Sequence, residues 1–371
     1  MSSRKSILFF CSFPPPFTGQ RIATKFVYDI LSNTADVDLI NLSPELKQVK
    51  KVSSLRLVAV YIQKYLQLIK MLKQKKYDYV YTVFAPSKSG LLKDCLSATI
   101  IKKYNNDKLI THLHCGNYGD NFKGFFFKQL FNYLIKKVST FIFLSPVLNK
   151  VDDLLNGKAV YLNNTISEEI ICTDEEIEKK LQANNSSKIL NIYFISNMIK
   201  EKGYNDLIAA AEILLKKNEF NFQIHLIGSW TNGNEEQKNL EKTLHNSGFS
   251  DKVIIYGAVN DRQKIKEYFL NADVFALPTY YPVEAQPLSI LEALNAATPV
   301  ISTYHASIPD LIENNVNGYL VQPKDVNAIA EAITSLNNKQ NWMRMAKQAR
   351  ESYQLKYDPS IFTKKLGTIF I

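Results

Sequence analysis

The chain is poor in several residue types, and each shortage excludes something. Its four cysteines, Cys11, Cys95, Cys115 and Cys172, form no CxxC pair and keep no regular spacing, so neither a disulfide framework nor a thiolate zinc site is indicated. A reducing compartment fits. Thirteen glycines and thirteen prolines in 371 residues are too few for a collagenous or low-complexity chain. No stretch approaches the roughly 18 uninterrupted apolar residues of a membrane-spanning helix. The first apolar run stops at Ser12 and Pro14-Pro15-Pro16, too short for the core of a signal peptide. Acidic residues are scarce only in the first part: residues 1–160 hold 24 Lys/Arg and 10 Asp/Glu, net +14, whereas residues 161–371 hold 21 and 25, net −4, which together give the overall +10. A basic half points to nucleic acid, anionic lipid or an acidic substrate.

What is present is a globular composition, 46% hydrophobic and 22% charged, at a length that suits two or three domains. Short β-rich runs alternate with helical patterns. Strands are expected at Ile7 to Phe13, Asp38 to Leu42, Asp78 to Phe84, Leu109 to His114, Thr140 to Leu144 and Val160 to Asn163, with helices between them. Such alternation predicts a parallel sheet covered on both faces. The pattern restarts at Leu190, after a polar, acidic stretch ending in Asn184-Asn185-Ser186-Ser187. The expected organisation is therefore a first α/β domain over 1–170, a linker over 171–189, a second over 190–355, and a C-terminal helix over 356–371 that packs back on the first domain. Ligands of open α/β sheets bind at the carboxyl ends of the strands.

The densest constellation runs from Pro278 to Leu294. Pro287 suits the first turn of a helix carrying Leu288 to Asn295. The amides of Ala285, Leu288 and Ser289 would present the positive end of that helix to an anion, which makes the place a phosphate site. Glu284 precedes the helix and Glu292 lies on its later turns. Eight residues at about 1.5 Å each separate them by roughly 12 Å, beyond the ~5–9.5 Å of a hydrolase carboxylate pair. The two acids must do different work. Absent a ligand role, Glu284 reads as an acid complementing the helix dipole and Glu292 as a solvated helix residue.

With Glu284 and Glu292 spaced Glu-x7-Glu, followed by Thr298-Pro299-Val300, Ile308-Pro309-Asp310-Leu311 and Asn315-Val316-Asn317-Gly318, the sequence resembles the retaining glycosyltransferases of family 4. That resemblance implies the GT-B fold, two facing Rossmann-like doubly wound domains with a helical C-terminal tail. It extends to Ser196-Asn197-Met198-Ile199-Lys200-Glu201-Lys202-Gly203, the loop that grips the nucleotide diphosphate in the family. By the family's pattern Asn197, Lys202, Ala285, Gln286, Pro287, Leu288 and Ser289 bind the donor, Glu292 takes the ribose hydroxyls, and Glu284 holds the sugar as a catalytic residue. Asn197 stands where the family often has Arg. Ala285, Ala297 and Ala306 stand where Gly is common, and Ala disfavours positive φ.

The N-terminal half resembles the family less. The Pro-rich loop from Phe13 reaches Gly19, where a helix begins and where family members cover the donor phosphates. The strand Thr111-His112-Leu113-His114 ends in the residue that resembles the family's catalytic histidine, His114; His112 shares its face, so a metal pair was a second possibility, although the family works without a metal or other cofactor. Lysines and Arg56 between Lys50 and Lys76, and Phe122 to Lys128, form a basic amphipathic surface suited to anionic lipid. No zinc finger, RNA-recognition signature or helix-turn-helix supports a nucleic-acid partner. The resemblance implies a cytoplasmic enzyme at the inner face of the membrane. It would move a sugar from a nucleotide-diphosphate sugar to a glycan or lipid-linked acceptor in surface polysaccharide synthesis. A sugar phosphorylase, a nucleotide-sugar epimerase and a silent glycan-binding scaffold are the alternatives on the same fold.

Overall fold

The computed structural model describes residues 4–15, 18–43, 54–105, 108–116, 124–186, 189–231, 233–246 and 248–370. Pro16 and Phe17 of the Pro-rich loop, Lys50 and Lys51, and Phe122 and Lys123 lie outside the described residues. The chain divides into two compact units, one of residues 1–164 and 362–371, the other of residues 165–361.

The first unit runs β1 (Ser6–Cys11), α1 (Gly19–Thr34), β2 (Asp36–Asn41), α2 (Ser54–Gln74), β3 (Tyr79–Val83), α3 (Lys88–Tyr104), β4 (Lys108–Leu113), α4 (Phe125–Lys137), β5 (Thr140–Phe143), α5 (Asp152–Leu155) and β6 (Ala159–Tyr161). Its strands form one parallel sheet in the order β2-β1-β3-β4-β5-β6. Alternate residues of β1 serve the two faces. Leu8 and Phe10 join the core under α2, α3 and α4, while Ile7, Phe9 and Cys11 join the core with Val27 and Leu31 of α1.

The second unit holds α6 (Asp174–Ser186), β7 (Ile189–Ile195), α7 (Tyr204–Lys217), β8 (Asn221–Ile227), α8 (Asn234–Asn246), β9 (Val253–Gly257), α9 (Arg262–Asn271), β10 (Val274–Leu277), α10 (Leu288–Asn295), β11 (Val300–Thr303), α11 (Ile308–Leu311), β12 (Gly318–Val321), α12 (Val326–Asn337) and α13 (Lys339–Lys356). Its parallel sheet has the order β12-β11-β10-β7-β8-β9. Both units are doubly wound sheets, as expected.

Two boundaries differ from the sequence reading. The stretch taken as a linker, 171–189, contains α6, and the helix is fastened to the second unit. Thr173 and Glu176 form a capping box at its start: Glu176 accepts from the Thr173 amide at 2.7 Å, and Thr173 Oγ1 accepts from the Glu176 amide at 3.2 Å. Ile177 is buried, and the buried Lys180 ammonium donates to the carbonyls of Phe269 at 2.9 Å and Ala296 at 2.8 Å. A polar composition hid a helix that buries one narrow face. At the other end, the return to the first unit comes at Phe362 rather than at residue 356. Phe362 and Leu366 of α14 (Pro359–Ile369) enter the core beside α1.

Candidate functional site

The second sheet reverses its winding between β7 and β10, which neighbour each other while their chain connections run outward on opposite sides. At such a switch point the loops leaving the two strands part and leave a crevice at the carboxyl ends. The residues after β7 and after β10 therefore meet there.

After β7 the chain makes a short 3-10 turn, Lys200–Lys202, and then Gly203 adopts φ 85°. A Cβ at Gly203 would come 2.2 Å from the Pro278 carbonyl oxygen at the end of β10, so only glycine lets the turn press against that strand. The approach delivers Lys202 to Glu284. Its ammonium donates to Glu284 Oε2 at 2.5 Å, with the two side chains 13% and 9% exposed. The same ammonium lies 5.1 Å from the centre of the Tyr281 ring. Thr279 Oγ1 lies 3.3 Å from both Glu284 Oε2 and the Glu201 carbonyl, so its one proton is shared between them and links the carboxylate to the lysine loop. The Tyr280 amide adds a bond to the Glu201 carbonyl at 2.8 Å.

Behind Glu284, α10 begins at Leu288 with Pro287 as its N-cap, one position earlier than the first turn expected for it. Pro287 supplies no side-chain cap, so the first amides of α10 have none. Ala285 and Gln286 are buried beside them, and Leu288 and Ser289 are half-buried. The loop after β11 braces this turn: Ser307 Oγ donates to the Ala285 carbonyl at 2.7 Å, and His305 Nε2 lies 2.8 Å from the Tyr281 carbonyl. Glu292 is buried, not on a solvated face, and its Oε1 accepts from Arg262 Nη2 at 2.7 Å. Asn197 is exposed and makes no side-chain bond to Lys202 or Glu284.

Of the departures noted in the sequence, Ala297 and Ala306 do adopt positive φ, 49° and 50°, whereas Ala285 does not. The sequence reading missed Thr279, Arg262, His305 and Ser307. Arg262 carries no local signal, since its partner lies thirty residues on; Ser307 could be found only by asking what would brace the turn at Ala285.

The remaining candidates belong to the first unit. Gly19 opens α1 and is exposed; Thr18 caps that helix by accepting from the Arg21 amide at 3.4 Å. His114 follows β4, with its ring 3.9 Å from that of His112, centre to centre. His112 Nδ1 bonds the Tyr81 hydroxyl at 2.7 Å, whereas both nitrogens of His114 are buried without a hydrogen-bond partner. Burial pushes His114 down to about 3; burial and then the neighbouring His114 hold His112 well below its ordinary value. Both imidazoles are neutral at pH 7, so each offers one donor and one acceptor. Among the described residues no third His, Cys, Asp or Glu joins them in a group that could hold a metal.

Residues 173–352 match the family described as Glycosyl transferases group 1. The amylovoran biosynthesis glycosyltransferase AmsK of Erwinia amylovora is 27% identical over 185 residues, which cover 48% of this chain and 44% of AmsK. The chain thus spans less than half the length of that curated relative. Among solved structures, sucrose-phosphate synthase of Thermosynechococcus elongatus superposes with a TM-score of 0.77 at 18% identity, covering 99% of this chain and 98% of that one. HepE of Anabaena in complex with UDP gives 0.74 at 16% identity, covering 98% and 99%. These two likenesses are of fold.

Proposed function

Because residues 173–352 match the glycosyl transferases group 1 family, we propose that the chain transfers a sugar, with retention and without a metal, from a nucleotide-diphosphate sugar to a glycan or lipid-linked acceptor in the synthesis of a surface polysaccharide. The observation that carries this reading is the Lys202–Glu284 pair at the β7/β10 switch point, beside the uncapped first turn of α10. When the bond from the sugar's anomeric carbon to the diphosphate breaks, the electron pair stays on the phosphate oxygen. Negative charge grows there, and the Lys202 ammonium with the α10 amides is arranged to meet it. Glu284 serves the opposite charge, the positive charge developing at the sugar. Glu292, held by Arg262, receives the ribose hydroxyls. AmsK supports a polysaccharide product, and the UDP in HepE makes uridine nucleotides the first donors to try.

The basic first unit docks, in this reading, on anionic lipid at the cytoplasmic face. Val58, Ile62 and Leu66 of α2 are each more than half exposed and recur every four residues, so they form one stripe, which Lys70 and Lys73 continue. Lys75 is not part of that surface: it pairs with Asp36 at 2.7 Å and Asp38 at 2.8 Å. Among the described residues no helix is long and apolar enough to cross a membrane.

A panel of nucleotide sugars tested by thermal shift, followed by product analysis with and without acceptor, examines the reading. One donor should raise the melting temperature, since a ligand of the native state stabilises it by mass action, and an acceptor-dependent glycoside should follow. A donor converted without acceptor into an epimer, or a glycan cleaved by added inorganic phosphate into a sugar phosphate, would replace the transferase by one of its alternatives.

A further inference from the structure

In the second unit the helices α9 and α10 are joined by one ion pair, in which Arg262 Nη2 donates to Glu292 Oε1 at 2.7 Å. The carboxylate side chain is 7% exposed and the guanidinium 25%. A carboxylate so enclosed requires a counter-charge. As a source of stability, however, a buried ion pair is weak, because apolar side chains of the same volume do as well or better. The pair calls for another use.

Both partners are held from behind. Arg262 is the first residue of α9, and the Asp261 carboxylate caps that helix by accepting from the amides of Gln263 at 2.9 Å and Lys264 at 3.3 Å. Gln263 Nε2 adds a bond to the Glu169 carbonyl at 3.1 Å. Towards the far ends of the two helices, one buried ammonium, that of Lys180, donates to the carbonyls of Phe269 in α9 and of Ala296 at the C-cap of α10. The spacing of α9 and α10 is therefore set at both ends, and the guanidinium reaches Glu292 from a fixed base. The torsion that turns a glutamate carboxylate is broad, and a guanidinium bonded to Oε1 narrows it to one plane. A carboxylate has about four lone-pair sites, so the bond to Arg262 leaves room for two hydroxyl protons side by side. A ribose presents such a pair of neighbouring hydroxyls, and a 2′-deoxyribose does not.

We propose that Arg262 is a positioning residue that holds the Glu292 carboxylate for the 2′ and 3′ hydroxyls of a ribose, and that the site thereby takes ribonucleoside diphosphate sugars in preference to 2′-deoxyribonucleoside ones. The assignment rests on the reading that Glu292 receives the ribose hydroxyls, and it adds which residue keeps the carboxylate there and which class of donor follows. A missing hydroxyl leaves an enclosed carboxylate lone pair unmatched, and a hydrogen bond to a charged group is worth about tenfold or more in affinity. Without the guanidinium, a carboxylate this buried has no counter-charge and turns towards water. The acceptor then leaves the ribose, and the preference goes with it.

The test is calorimetry on the full chain with UDP and 2′-deoxy-UDP, read as the ratio of the two affinities. The wild type should prefer UDP by about tenfold or more. In Arg262→Met, which keeps the length and removes the charge, the ratio should fall to within about threefold of one, as it should in Glu292→Gln; in the double variant it should fall no further, since the two residues act through one interaction. Arg262→Lys keeps the charge but replaces the planar fork by a single point, and its ratio should lie between. Melting checks the fold. If Arg262→Met does not fold, Arg262→Lys decides, and a wild-type ratio there overturns the assignment. A pair that is merely structural predicts a different result, an equal loss of affinity for both nucleotides in Arg262→Met with the ratio kept; that outcome, or a raised ratio, would remove Arg262 and leave Glu292 on the ribose, provided Glu292→Gln still loses the preference. A wild type that binds both nucleotides equally would overturn the proposal and the ribose role of Glu292 together while leaving the transferase reading, and a wild type that binds no nucleotide would overturn all three.

Discussion

At the scale of single residues, Lys202 has two uses. In the unliganded chain its ammonium satisfies Glu284 and stacks near Tyr281. An ammonium has three donors, so a diphosphate can engage the others without breaking the pair. Lys202→Ala removes the cation and leaves a carboxylate only 9% exposed beside the place a diphosphate would occupy. Nucleoside diphosphate binding should weaken by about 1.5–3 kcal/mol, the value of a charged hydrogen bond, and calorimetry reads it. Unchanged affinity in a folded Lys202→Ala protein would take Lys202 out of the site. Glu284, Glu292 and Lys202 were named in the sequence because the family resemblance rests on two short motifs that contain them, Ser196 to Gly203 and Glu284 to Glu292. Thr279 and Arg262 could not be, because Thr279 meets the Glu201 carbonyl across 78 residues and Arg262 meets Glu292 across 30.

At the scale of an element, α10 depends on how it ends as much as on how it starts. Its C-terminus forms a Schellman motif: the Thr298 amide bonds the Ala293 carbonyl at 2.9 Å and the Ala297 amide bonds the Leu294 carbonyl at 3.1 Å. The motif demands a left-handed residue at 297, and the chain supplies alanine at φ 49° where glycine is the usual choice. A left-handed alanine costs about 1–2 kcal/mol, and glycine gives back roughly half of that in chain entropy. Ala297→Gly should therefore stabilise the protein by about 0.5–1 kcal/mol, read as a higher denaturation midpoint; a lower midpoint would mean that the lost methyl matters more than the backbone. Elements with strong local signals were legible: α10 at its observed bounds, and the start of β7 within one residue. The helix α6 was not, because its acidic first turn and asparagines resemble a linker, although Thr173-x-x-Glu176 already spelled its capping box.

At the scale of the whole molecule, the uneven charge becomes a surface. Lys70, Lys73 and Lys76 are exposed on or just after α2, next to its apolar stripe, while Lys75 is tied to Asp36 and Asp38. Replacing Lys70, Lys73 and Lys76 by Gln should lower sedimentation with anionic vesicles, and added salt should lower it in the wild type. Equal sedimentation with neutral vesicles would exclude an electrostatic attachment. The doubly wound sheets were legible from alternating strand and helix patterns; the boundaries at 165 and 362 were not, since they are fixed by which core Phe362 and Leu366 enter.

The most direct measurement is made on Glu284→Gln, comparing sugar transfer with UDP affinity. The substitution keeps the side chain's shape and removes the partner of a nearly buried ammonium, so the unliganded protein should lose stability, up to about 3–5 kcal/mol for an uncompensated buried charge. A bound diphosphate restores a counter-charge to Lys202, so UDP should bind as tightly as in the wild type or more tightly. Turnover should nevertheless fall about a hundredfold or more, because the group facing the developing positive charge is gone. A Glu284→Gln protein that transfers sugar at the wild-type rate would contradict the assignment of the site.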